Sequence, residues 1–115
     1  MIILKKILPY TDESTAGGVA HYNHALIVSL VGAGWRAHGA QPPNDSPMLE
    51  LQRQLGVEQS FLSYEPRVEF VRSITDTADP ARIIEAAAPD IIFFSDGCPL
   101  SNIAAKHIAI TLRIQ

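Results

Sequence analysis

A pair of glycines behind an apolar strand is the arrangement in this chain best suited to chemistry. Ile2-Ile3-Leu4-Lys5-Lys6-Ile7-Leu8 reads as a strand, Pro9 to Ala16 as a polar loop, and Gly17-Gly18-Val19 as the opening of a helix. Without Cβ atoms the two glycines let a bulky group come close to the backbone. The first amides of the helix have no carbonyl partner within it, and the positive end of the helix dipole stands behind them. A phosphate is the natural guest, held against Gly17 and Gly18, with Thr15 beside it as a candidate substrate contact.

Other residues have chemistry to offer from less certain positions. His21 and His24 stand three apart near the start of that helix and can share a face. A metal site needs three or four ligands and no third is near in sequence, so no metal is expected. His21 is read as a contact to substrate in a cleft, and His24 as a surface residue. Asp96, in Ser95-Asp96-Gly97-Cys98-Pro99, either binds substrate or caps the helix that follows. Cys98 has no basic neighbour to activate its thiol, and His107 reads as a partly buried helix residue.

The elements that must position these residues alternate between strand and helix. Val19, Tyr22, Leu26, Ile27, Leu30 and Val31 recur at helical spacing, and Gly32 and Gly34 supply a stop. Trp35 to Ala40 is a short strand, ended by the turn-rich Pro42 to Pro47. A helix from Met48 to Leu55 closes at Gly56. Phe61-Leu62-Ser63-Tyr64 and Val68-Glu69-Phe70-Val71 each read as a strand. Asp79 is placed to cap a helix with Pro80 at its first position, running to Ala88. Ile91-Ile92-Phe93-Phe94 is the continuous apolar run of a parallel strand buried on both faces, and a last helix runs from Leu100 through Ile103, Ala104, His107 and Ile108 to Ile110.

Strands separated by helices call for a parallel sheet with helices on both faces, because the crossovers are right-handed and both surfaces must be covered. The fold class is therefore α/β, a Rossmann-like layer. In such sheets ligands bind beyond the carboxyl ends of the strands, at the point where the strand order reverses. That places the loop from Thr11 to Gly18 and the loop from Ser95 to Pro99 on one rim.

Composition narrows the rest. A chain of 115 residues, 47% hydrophobic, is one domain with a real core, and disorder is excluded. Nine basic and twelve acidic side chains leave a net charge of −3, which gives no electrostatic reason for a nucleic-acid partner. The single cysteine cannot form an internal disulfide and fits a reducing cytoplasm. Lys5 and Lys6 interrupt the first apolar run before it makes a signal-peptide core, and the run from Ala25 to Ala33 is too short to span a bilayer. A cytoplasmic protein is expected, with attachment to a membrane surface left open.

The order of these motifs resembles the N-terminal domain of family 4 retaining glycosyltransferases of the GT-B fold. The residues that carry the likeness are Pro9-Tyr10, the acidic and hydroxyl-bearing loop, Gly17-Gly18-Val19, then Pro89-Asp90-Ile91-Ile92-Phe93-Phe94-Ser95-Asp96 with Pro99-Leu100-Ser101 beyond. The resemblance spans nearly the whole chain. It implies that Gly17 and Gly18 approach the diphosphate of a nucleotide-diphosphate sugar, that nearby loops shape the site of a sugar or lipid acceptor, and that no cofactor is needed. It also implies a strand order of 3-2-1-4-5, a longer N-terminal domain, and a C-terminal donor-binding domain that this chain lacks. Residues 1–115 then form a truncated acceptor-side domain, inactive by itself. Its exposed strand from Ile91 to Phe94 would be open to self-association.

Two other readings stay open. A dinucleotide-binding oxidoreductase half is weaker, since Gly17-Gly18 does not complete a G-x-G-x-x-G pattern and the strand ending near Gln41 lacks a terminal acidic residue. A non-catalytic flavodoxin-like binding module should carry acidic residues where this first strand ends in Leu8-Pro9-Tyr10.

Overall fold

The computed structural model describes residues 5–12, 18–44, 46–66, 68–95, 101–112 and 114. Its elements run β1 (Lys6–Thr11), α1 (Gly18–Gly32), β2 (Arg36–Gln41), α2 (Pro47–Gln54), β3 (Glu58–Phe61), α3 (Phe70–Thr75), α4 (Ala78–Ala87), β4 (Ile91–Ser95) and α5 (Ile103–Thr111). The four strands form one all-parallel sheet in the order β3-β2-β1-β4. This is a Rossmann-like α/β fold, with the strand order reversing between β1 and β4.

Register assigns side chains to faces, because successive residues of a strand point to opposite sides. Leu8 and Tyr10 of β1 lie opposite Ile92 and Phe94 of β4, and Tyr10 lies opposite Ala40 of β2. On that face they meet Ile83, Ile84 and Ala87 of α4 and Ala105 and Ala109 of α5, the larger of two buried apolar clusters. On the other face Ile7, Ala37, Ile91 and Phe93 pack with Ile27, Leu30 and Val31 of α1. Helices therefore cover both faces.

Two glycines end helices for a backbone reason. Gly34 and Gly56 have φ of +96° and +85°, and a Cβ at either would meet nothing within 4 Å, so conformation rather than space selects glycine. The bonds around them repeat. Trp35 N–H donates to the Leu30 carbonyl and Gly34 N–H to Val31; Val57 N–H donates to Gln52 and Gly56 N–H to Arg53. Both are Schellman motifs, which turn the chain sharply out of α1 and α2 into the next strand. At the other end of α2, Ser46 Oγ accepts from Met48 N–H, with Pro47 at the first helical position.

The structure corrects four sequence expectations. β1 runs on to Thr11, so Pro9 and Tyr10 belong to a central strand rather than a loop; the ladder holds on either side of Pro9, through Leu8↔Ile92 and Tyr10↔Phe94. The third strand is Glu58–Phe61, not Phe61 to Tyr64. Its polar Glu58 and Gln59 suit a sheet edge, where one side of the strand meets solvent. Val68 to Val71 is not a strand: Phe70–Thr75 is helical, and Val68 and Val71 are exposed. Finally, Asp76 rather than Asp79 caps α4, its Oδ1 accepting from the N–H groups of Ala78 and Asp79.

His38 of β2 is only 4% exposed, and its Nε2 lies 2.7 Å from Ser60 Oγ on β3. Its Nδ1 has no hydrogen-bond partner, the nearest carboxylate being Glu58 at 3.8 Å. Burial, and then the neighbouring Lys6 ammonium, lower the His38 pKa from its ordinary 6.5, with Glu58 opposing them. A depressed folded pKa means that the unfolded chain takes up the proton first. Stability from this site is complete above pH 6.5 and lost as the pH falls through the folded pKa. Melting temperature is expected to drop between about pH 7 and pH 5.5, and the drop should shrink in His38→Gln, whose amide nitrogen can replace Nε2 as partner of Ser60. Equal pH dependence in the two proteins would show that His38 does not titrate in this way.

Candidate functional site

The carboxyl ends of β1 and β4 lie side by side, with Thr11 opposite Ser95. The two loops expected on one rim thus leave the sheet from adjacent positions. Thr11 and Asp12 are both buried there. Gly18 is the first residue of α1, so the helix N-terminus follows the β1 loop as the sequence predicts. Gly17, Thr15 and Asp96 lie outside the described residues.

A short bond ties α1 to this rim. Ser95 Oγ at the end of β4 donates to Oδ1 of the buried Asn23 at 2.6 Å, holding the first turns of the helix beside the reversal of strand order. Neither residue stands out in the sequence, since the pair is formed across 72 positions.

His21 is exposed on α1. His24 is not the surface residue expected: it is partly buried, and its Nδ1 accepts from Gln52 Nε2 of α2 at 3.0 Å. That contact commits His24 to helix packing and separates its role from that of His21. Among the described residues no group of three or more His, Cys, Asp or Glu is placed to hold a metal ion. His107 is exposed on α5 rather than partly buried.

On the face covered by α1 and α2, a small cavity opens over β2. Its walls include Pro9, Ile27, Gly39, Gln41, Leu49 and Gln52, and its volume is about 40 Å³, room for a few waters. None of the described residues lining it is ionisable.

The opposite face carries a shallow charged groove whose groups are taken up by one another. Arg82 donates to Asp79 at 2.8 Å, and Asp79 also accepts from Ser63 N–H at 2.9 Å. Arg72 donates to Asp76 at 2.8 Å and to Ser63 Oγ at 2.8 Å, while its guanidinium stacks 4.6 Å from the Tyr64 ring centre. The Arg72 hydrogen bond holds the Asp76 carboxyl below its ordinary value. Burial raises the phenols of Tyr10 and Tyr64, the latter to about 12, so neither offers a base at neutral pH. This groove fixes the segment between β3 and α4 rather than presenting reactive groups.

No helix among the described residues is long and apolar enough to cross a membrane. Comparison with known proteins finds no matching family model, no matching curated protein and no matching solved structure.

Proposed function

We propose that the chain is the acceptor-side half of a sugar transferase that uses a nucleotide-diphosphate sugar. The observation that carries this reading is the opening of α1 at Gly18, directly after the loop that leaves β1 beside the end of β4. A helix N-terminus at the reversal point of a parallel sheet is where such folds hold phosphates. Backbone N–H donors fixed there stabilise the charge that develops on a departing diphosphate, without a metal. The β3-β2-β1-β4 order agrees with the first four strands of the order implied by the resemblance. Beyond β4 the sheet has no further strand among the described residues, which leaves an edge for the fifth strand of a complete domain or for a second copy of the chain. β2 ends in Gln41 rather than an acidic residue, which argues against the oxidoreductase alternative.

Calorimetric titration of the 115-residue chain tests the reading. Nucleotide-diphosphate sugars are expected to bind weakly, because one wall of a two-domain cleft offers few contacts to offset the entropy lost. NAD is expected to bind no more tightly than the sugar donors, and the chain alone should transfer no sugar. Tight NAD binding, or no heat with any of a panel of sugar donors, would overturn the assignment.

A further inference from the structure

We propose that the cavity between α1 and α2 is a binding site for an uncharged vicinal diol, the edge of a sugar ring. The inference stands on the cavity alone and needs neither a diphosphate nor a transfer reaction. Gly39 occupies the middle of β2 and is not in the left-handed region, so its backbone conformation does not demand glycine. What it provides is space: glycine inside a strand marks a place where another group comes close to the backbone. A Cβ built there would lie 3.1 Å from Gln41 Oε1 and 3.9 Å from Gln52 Oε1.

Two amide oxygens therefore converge over one point of the sheet, and both are held in place. Gln52 donates from Nε2 to His24 Nδ1 at 3.0 Å, and its Oε1 accepts from Gln59 Nε2 at 3.3 Å, leaving a second lone pair. Gln41 donates from Nε2 to the Ser60 carbonyl at 3.4 Å, and among the described residues its Oε1 accepts no hydrogen bond. Both side chains are more than nine-tenths buried. The matching ligand carries two O–H donors on adjacent atoms. Pro9, Ile27 and Leu49 supply apolar wall for the C–H face of a ring. An ammonium would also offer donors, but among the described residues no carboxylate lines the cavity to neutralise it and no cation lines it to hold an anion. At about 40 Å³ the cavity admits two hydroxyls and the ring edge that bears them rather than a whole sugar.

The diol could come from the ribose of a nucleoside or from a pyranose, and amide NMR of the 15N-labelled chain separates the two. The probes are adenosine, 2′,3′-dideoxyadenosine and methyl glucopyranoside. Adenosine, the glucoside or both should shift the Gly39 N–H and the side-chain amides of Gln41 and Gln52, with affinity on the order of millimolar, and dideoxyadenosine should not. Gln41→Leu removes one acceptor and is expected to weaken binding about tenfold. Gly39→Ala places a methyl group against the tip of a flexible side chain, so the fold persists while Gln41 is displaced and binding is lost. The spectra of the variants report their folding directly. Silence with both diol probes, equal shifts with dideoxyadenosine, or binding that survives both Gly39→Ala and Gln41→Leu would overturn the site. None of the probes carries phosphate, so a silent cavity leaves the diphosphate reading standing, and titration with inorganic pyrophosphate, which has no diol, tests that reading apart from the cavity.

Discussion

Leu8→Ala is expected to cost about 3 kcal/mol of folding stability, a large share of the total for a small domain. Leu8 is 0% exposed at the centre of β1, with β2 on one side, β4 on the other, and α4 and α5 above it. Removing the branched end leaves a void that cannot collapse, because the four elements around it are held by their own ladders and helices. Urea denaturation should show a lower midpoint with unchanged slope. The melting temperature should fall by about 10 °C. The same substitution at Leu51, which is exposed on α2, should change stability by less than about 0.5 kcal/mol. A Leu8→Ala protein as stable as its parent would mean that the core around β1 is loosely packed.

Gly18→Val carries the largest expected effect on activity. In a two-domain transferase that has this chain as its N-terminal half, it should depress transfer about a hundredfold, as loss of a preorganised charge-stabilising contact does. Gly18 opens α1, and in the proposed transferase a β-branched residue there would crowd a diphosphate held at the first free amides. Folding should be little affected, since valine is at least as good a helix residue as glycine. Steady-state kinetics paired with circular dichroism checks this: a folded variant with unchanged transfer would remove Gly18 from the donor site.

Much of this architecture was legible in the residues. Helix-spaced apolar positions from Val19 to Val31, the glycines at 34 and 56, and the run Ile91 to Phe94 each announce an element through its own local chemistry. Alternating strands and helices then leave a parallel sheet covered on both faces as the economical solution. What misled was also local. The Val68 to Val71 stretch has strand-like composition, yet its valines face solvent and its last two residues open α3, while β3 is too polar at Glu58-Gln59 to read as a strand. Asp79 next to Pro80 has the composition of a helix start, but its carboxylate is drawn to Ser63 and Arg82, and Asp76 takes the cap.

By itself the sequence determined which segments are strands or helices wherever periodicity and glycine placement agree, and it set the loops that begin at Thr11 and Ser95 to leave one rim of the sheet. Only the tertiary structure decided which polar side chains share a site. Asn23 meets Ser95, His24 meets Gln52, and Gln41 and Gln52 meet over Gly39 because parallel pairing and helix packing bring together residues far apart in the chain. No periodicity records such meetings: an Asn or Gln has the same propensity whether it faces water or another amide. Its role is set by the partner that the fold supplies, because a buried polar group must find one.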